Sequence, residues 1–135
     1  MKRALVIGSS GGIGSALVTA LQEAGWQTTG LSRSGDELDV THAASVDTYL
    51  SQLEAPFQRI IIATGALEIG SHRPEKALKQ LTPEGMAAQF ALNAIGPALI
   101  LAHATRLLPQ DMPAVVASLS TRVGSIGDNQ TGGWY

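Results

Sequence analysis

A glycine-rich segment near the N-terminus carries the residue types and spacing that point most directly to chemistry. The run Gly8 to Gly14, GSSGGIG, lies between an apolar segment and a segment of helical period. Glycines let a backbone turn sharply and approach a diphosphate, whose charge is met by free N–H groups at the start of a helix. The residues assigned to this turn are Gly8, Ser10, Gly12, Ile13 and Gly14. Its Gly-x-x-x-Gly-x-Gly spacing differs from the common G-x-G-x-x-G fingerprint, so a glycine-rich turn without a ligand is the alternative.

The elements that must position this turn alternate between short runs rich in strand-forming residues and longer segments of helical period. Such alternation is typical of a parallel sheet covered by helices on both faces. Strands are predicted at Arg3 to Ile7, Trp26 to Leu31, Glu37 to Leu38, Arg59 to Ala63 and Met112 to Leu119. Helices are predicted at about Ile13 to Ala24, Ala43 to Leu53 and Pro83 to Leu108, with a short helix opening at Pro74. The sequence therefore predicts an α/β, doubly wound parallel sheet with five strands in the order 3-2-1-4-5.

Length and composition limit the classes of protein to consider. A chain of 135 residues fits one domain, 1–135, and its net charge of −2 with scattered Lys and Arg argues against nucleic-acid binding. The absence of cysteine permits a reducing cytoplasm, and the three histidines, His42, His72 and His103, are too far apart for a local metal motif. No apolar stretch approaches the roughly 18 to 20 residues of a membrane span. We expect a cytoplasmic protein without a metal, a nucleic-acid partner or a membrane span.

The glycine spacing, with other motifs in the same order, resembles the short-chain dehydrogenases/reductases over the whole chain, which implies a Rossmann-like fold and an NAD(P) cofactor. An enzyme that prefers NAD places an acidic residue after the second strand, where this chain has Leu31-Ser32-Arg33-Ser34. Arg33 suits the 2′-phosphate of NADP, although a solvated loop cation is the alternative. Asp36 and Glu37 follow closely and keep NAD possible. NADP is therefore the expected cofactor.

Two further segments resemble the parts of this family that hold the adenosine. Asp39 and Val40 are similar to an Asp-Val pair beside the adenine, but an aspartate before a helix is also an ordinary N-terminal residue. Ala63, Thr64 and Gly65 stand where the family often has Asn-Ala-Gly, so small residues are kept while the asparagine is missing. The resemblance implies that these five residues complete the cofactor site.

The resemblance also implies two residues that act on the substrate. Asn93, in Leu92-Asn93-Ala94-Ile95-Gly96, matches an Asn-x-x-Gly segment that helps to hold a water for proton relay; a polar helix face is the alternative. Ser120 matches the serine that ends the fifth strand. A hydroxyl at that end of a parallel sheet can hydrogen-bond a reacting carbonyl, while Ser118 represents a serine that merely satisfies a loop.

The family's Tyr-x-x-x-Lys pair is not present in the chain. Tyr135, the last residue, is one candidate for the tyrosine of this pair. The ending Gly132-Gly133-Trp134-Tyr135 resembles a C-factor-like subgroup in which the pair follows this point, so Tyr135 is not assigned. We therefore expect a C-terminally incomplete NAD(P)-binding domain that is nearly inactive by itself. The expected function is NADP-dependent hydride transfer between nicotinamide and a small carbonyl or alcohol substrate, in a full-length homo-oligomer. A non-catalytic dinucleotide-binding or signalling module is the alternative.

Overall fold

Three apolar runs and the largely polar segment Gln27–Leu31 form a parallel sheet of four strands in a computed structural model that describes residues 1–130. The strands are β1 (Arg3–Ile7), β2 (Gln27–Leu31), β3 (Arg59–Ile62) and β4 (Val115–Ser118). They lie in the order β2-β1-β3-β4, and every neighbouring pair is parallel. The predicted α/β parallel sheet is confirmed. The predicted ending Gly132 to Tyr135 lies outside the described residues.

The predicted strand at Glu37 to Leu38 is wrong, and with it the five-strand order 3-2-1-4-5. Local hydrogen bonds occupy this backbone, because the Leu38 N–H donates to Ser32 O at 3.2 Å and the Glu37 N–H donates to Arg33 O at 3.0 Å. Glu37 also has a positive φ of 63°. The segment therefore closes a turn beside β2 and places Leu38 in the core, only 2% exposed.

Helices cover both faces of the sheet. They are α1 (Gly12–Glu23), the single turn α2 (Arg33–Asp36), α3 (Ala43–Ser51), α4 (Pro83–Phe90) and α5 (Gly96–Leu107), with 3-10 turns at Leu78–Gln80 and Arg122–Gly124. The short helix predicted to open at Pro74 is wrong. Beyond it the Gln80 side chain accepts the Lys76 N–H at 2.7 Å, which closes a turn in place of a helical backbone bond.

The core consists of two clusters separated by the sheet. Because successive side chains of a strand point to opposite faces, Leu5 and Ile7 join the larger cluster, and Ala4 and Val6 the smaller. The larger cluster also contains residues of α3, β3 and α5. All four of these β1 residues are fully buried. This central strand is thus fixed from both sides, and the loop that follows it begins from a rigid point.

The long helix predicted from Pro83 to Leu108 is continuous but contains a π-helical segment, Ala91–Ile95, between α4 and α5. Thr82 caps its start, since Thr82 Oγ1 accepts the Gly85 N–H at 3.1 Å.

The helix from Pro83 to Leu107, 25 residues with a mean hydropathy of 1.5 in one 18-residue window, is long and apolar enough to cross a bilayer. The expectation that no apolar stretch approaches the length of a membrane span was therefore wrong. Small and polar residues interrupt the apolar ones in this helix, but its mean hydropathy stays high. A core helix of a soluble protein passes the same test, so the finding is weak evidence for a span.

Candidate functional site

A cavity of about 230 Å³ opens at the carboxyl ends of β1, β2 and β3. In open α/β sheets this is the edge at which ligands bind. It is lined by Ile7, Gly8, Ser10, Gly11, Ser32, Arg33, Ser34, Leu38, Asp39, Val40, Ala63, Thr64, Gly65, Ala66 and Leu92. The three segments that the sequence assigned to a nucleotide, after β1, after β2 and after β3, thus meet at one place.

The glycine loop after β1 is packed too closely for side chains at two positions. Gly8 has a φ of 91°, and a Cβ there would lie 2.7 Å from the carbonyl carbon and oxygen of Ala63. A Cβ at Gly14 would lie 2.0 Å from Gly8 O. Both distances are shorter than non-bonded atoms tolerate, so Gly8 lets the loop pass against the end of β3 and Gly14 lets α1 approach the loop.

Helix α1 begins without a side-chain cap. The N-cap Gly11 offers no side-chain hydrogen bond, and the first turn of this fully described helix has no acidic residue. The first N–H groups of a helix have no acceptor within it, and the helix dipole adds partial positive charge there. The first turn, which includes Gly12, exposed Ile13 and Gly14, is thus left for an external anion, although these three residues do not line the cavity.

The end of β2 presents a cation to the cavity. Ser32 caps α2, because Ser32 Oγ accepts the Gly35 N–H at 3.0 Å, and Asp36 Oδ2 in turn accepts the Ser32 N–H at 2.9 Å. Asp36 is therefore engaged by this turn and does not line the cavity. Arg33 does line it, and no acidic side chain within residues 1–130 forms a salt bridge with its guanidinium.

Asp39 and Val40 form the wall next to this cation. Asp39 Oδ1 accepts hydrogen bonds from Thr41 N at 2.9 Å and from Thr41 Oγ1 at 2.6 Å, and His42 Nδ1 lies 3.2 Å from Oδ2. Partial burial acts to raise the pKa of Asp39, but the bonds from Thr41 and the neighbouring His42 outweigh it and hold the pKa below its ordinary value of 3.8. The carboxylate is thus ionised near neutral pH and partly engaged by its own turn. His42, rather than Asp39, is the N-cap of α3.

The loop after β3 forms the opposite wall with Ala63, Thr64 and Gly65. Thr64 Oγ1 is buried and has no hydrogen-bond partner among the described residues. A buried hydroxyl without a partner is costly, so its place in the lining of the cavity indicates a polar ligand there.

Asn93 does not line the cavity but holds this loop. Its Nδ2 donates to Ala66 O at 3.0 Å, and its Oδ1 accepts the Ala66 N–H at 3.1 Å. The asparagine therefore binds both backbone groups of one loop residue from within the π-helical segment. The alternative of a merely polar helix face does not describe these contacts.

Ser120 lies outside the cavity, two residues beyond β4, and is exposed. The expectation that it ends the strand is wrong, because β4 stops at Ser118. The last backbone hydrogen bond between the two strands is donated by the Leu119 N–H to Ile62 O, at 3.0 Å, and β3 itself ends at Ile62.

Several lining residues were missed from the sequence. Ser32 and Ser34 flank Arg33, and Leu92 precedes Asn93, so adjacency to assigned residues was the available signal. Leu38 was assigned to a strand that does not form. Its signal was a single leucine in a polar segment, which is typical of a core contact made by a turn.

Comparisons with known proteins agree with this geometry. A model of the NAD dependent epimerase/dehydratase family matches residues 4–82, more than half of the chain. No curated protein matches the chain in sequence.

Solved structures with the same fold carry related descriptions. A Burkholderia multivorans protein described as a short-chain dehydrogenase/reductase, with bound NADP, has a TM-score of 0.83 at 20% identity, covering 97% of this chain and 63% of its own. A carbonyl reductase from Pseudomonas aeruginosa has 0.74 at 20%, covering 97% and 64%. A short-chain dehydrogenase from Streptomyces avermitilis has 0.76 at 22%, covering 91% and 50%.

The chain thus spans about half to two thirds of the length of these structures. A likeness at this level of identity shows the shared fold, and together with the family match it supports the resemblance to short-chain dehydrogenases/reductases that the glycine spacing predicted. The family match covers β1, the glycine loop, β2 and β3, which together build the cavity. The chain belongs to the NAD dependent epimerase/dehydratase family.

Proposed function

We propose that this chain is the NADP-binding part of an oxidoreductase that acts on a small carbonyl or alcohol substrate. The matching family is described as NAD dependent, and the similar Burkholderia multivorans structure holds NADP. The carbonyl reductase among the similar structures supports the reaction class. Because the chain covers part of the length of those proteins, the activity and substrate of the whole protein belong to this proposal.

The residues around the cavity fit a dinucleotide. The free start of α1 and the Ser10 hydroxyl would hold the diphosphate, and the buried Thr64 hydroxyl offers a polar contact to a ribose. Asp39 keeps an ionised carboxylate that can accept from the adenine amine. No described residue accepts the Val40 N–H, which leaves this donor for a ring nitrogen.

The bound cofactor would supply or accept a hydride, and two side chains would serve the substrate. Ser120 would donate a hydrogen bond to the carbonyl oxygen, because charge develops on that atom as a carbonyl is reduced. Asn93 would support a water for proton relay through its place in the π-helical segment. These roles rest on the resemblance to short-chain dehydrogenases/reductases and on the location of both residues near the carboxyl edge of the sheet.

Arg33 is the observation that carries the choice of NADP. It lies on the cavity without an acidic partner among residues 1–130, while Asp36, the nearest candidate for binding ribose hydroxyls, is engaged by Ser32 N–H. A guanidinium binds a phosphate with charge-assisted hydrogen bonds, whereas it offers no comparable gain with a ribose hydroxyl.

Calorimetric titration of the chain with NADPH and with NADH tests this proposal. We expect NADPH to bind about tenfold or more tightly, since a hydrogen bond to a charged group contributes about 1.5 to 3 kcal/mol. Arg33→Gln should remove this preference by weakening NADPH and leaving NADH nearly unchanged. Lys79→Gln, which also removes one exposed positive charge, should keep the preference.

Equal affinity for both cofactors, or a preference for NADH, would overturn the assignment of NADP. A loss of preference in Lys79→Gln equal to that in Arg33→Gln would show that net charge, rather than the guanidinium at position 33, is responsible.

A further inference from the structure

Gln89 is a buried polar residue on α4 that the proposed function does not use. The residue is only 9% exposed, and it does not line the nucleotide cavity. Burying an amide is costly unless its donors and acceptor are satisfied. The contacts of Gln89 therefore indicate what the residue does.

The Gln89 amide bridges the long helix and the loop after β3. Gln89 Nε2 donates to Leu67 O at 2.8 Å, and Gln89 Oε1 accepts from Asn93 Nδ2 at 2.8 Å. Gln89 and Asn93 are four residues apart, the spacing at which side chains on a helix are neighbours. Because both hydrogens of the Asn93 amide are used, one by Gln89 and one by Ala66 O, the Asn93 Oδ1 is directed to the Ala66 N–H.

Two side-chain amides thus make three hydrogen bonds to the backbone of Ala66 and Leu67. Gly65, the preceding residue, packs against the same group, since a Cβ at Gly65 would lie 3.2 Å from Asn93 Oδ1. Gly65 and Ala66 line the nucleotide cavity. The position of this wall of the cavity is therefore set from its outer side.

We infer that Gln89 is a positioning residue for nucleotide binding, which acts by holding the loop Gly65 to Leu67 and by orienting Asn93. The inference rests on the proposed function for its effect on affinity. The hydrogen bonds of the loop themselves can be measured without any cofactor. Gln89 reaches the cavity wall only through Leu67 and Asn93, so its substitution alters the wall without removing a group that lines the cavity.

The test uses Gln89→Met, which keeps the length of the side chain and removes both hydrogen bonds. We expect the Kd for NADPH to rise about three- to tenfold, because the loop loses hydrogen bonds that hold it in place while the groups that line the cavity stay intact. The Kd for NADH should rise by the same factor, because Arg33 lies on the opposite wall and is untouched. Gln52→Met, at the exposed end of α3, is the matched control and should leave both values unchanged.

Amide hydrogen exchange without cofactor provides the second measurement. The Ala66 N–H, bound by Asn93 Oδ1, should exchange about tenfold faster in Gln89→Met, since a local opening is made easier. The Leu38 N–H, which donates to Ser32 O on the other wall, should keep its rate. Gln89→Asn, whose shorter side chain cannot span both partners, serves in the same way if the methionine variant does not fold.

Unchanged exchange at Ala66 overturns the inference, as does equal acceleration at Ala66 and Leu38, which would indicate general loosening. If the unaltered chain binds neither NADPH nor NADH, the proposed function fails, and exchange at Ala66 still decides whether Gln89 holds the loop. Faster exchange with unchanged cofactor affinity would overturn the link between the loop and binding.

Discussion

Close contact between backbone segments explains why single residues matter around the glycine loop. The carbonyl oxygen of Gly8 lies where a side chain at Gly14 would have to begin, so α1 and the loop approach each other as two bare backbones. A Cβ at Gly12, two residues earlier, would meet no neighbouring segment within 4 Å. Two glycines of one motif thus differ in their surroundings. Gly14 is required for close packing, whereas the space around Gly12 would accept a side chain.

Gly14→Ala should therefore destabilise the protein, whereas Gly12→Ala should not. A Cβ placed 2.0 Å from Gly8 O must displace the backbone, which typically costs about 1 to 3 kcal/mol. Urea unfolding followed by circular dichroism measures both variants. Equal free energies of unfolding for the two would contradict the packing described for Gly14.

At the scale of elements, the ends of helices decide which groups remain for a ligand. α1 begins without a side-chain cap and next to the cavity, while α4 begins with Thr82 Oγ1 bound to the Gly85 N–H. A side-chain cap satisfies a helix start internally, and an uncapped start leaves donors for another acceptor. The contrast supports an anion site at α1 and a structural start at α4.

Thr82→Ala should lower the free energy of unfolding by about 1 kcal/mol, because it removes the cap of α4. Thr105→Ala is the control, since Thr105 is exposed on α5 and a surface change of this kind stays within about 0.5 kcal/mol. Both are measured by urea unfolding at neutral pH. A loss for Thr105→Ala as large as that for Thr82→Ala would show that the cap contributes nothing of its own.

On the scale of the whole molecule, the sheet divides the core unequally. The larger cluster joins α3, α5 and the turn at Leu38 to β1 and β3, and the smaller joins α1 to β1. Leu107, 1% exposed near the end of α5, belongs to the larger cluster. The segments behind the cavity, including Leu38 and Val40, are packed in the same cluster, so stability and the shape of the site share one set of contacts.

Leu107→Ala should cost about 2 to 5 kcal/mol, as expected when a buried leucine is replaced and a cavity remains. Leu78→Ala removes the same atoms from a residue that is 71% exposed, and should cost less than about 0.5 kcal/mol. Thermal and urea unfolding of both variants provide the comparison. Similar costs would refute the assignment of Leu107 to the main core.

Much of the fold and part of the site could be predicted from local patterns. Local residue patterns identified all four strands, three of them as apolar runs, and Gly8 to Gly14 marked the loop, because strand formation and sharp turns depend on residues close together in sequence. The strand predicted at Glu37 to Leu38 is wrong, since a buried leucine in a turn and one in a short strand look alike in sequence. The bonds among Ser32, Gly35 and Asp36 decide between them.

Local sequence was sufficient to predict the parallel α/β pattern and the glycine turn, because both depend on near neighbours. Tertiary structure decided that Arg33 reaches the cavity without an acidic partner among residues 1–130, and that Gln89 and Asn93 hold Leu67 and Ala66. The last two contacts join residues 22 and 27 positions apart. Such contacts follow from how the long helix packs beside β3, which no local spacing encodes.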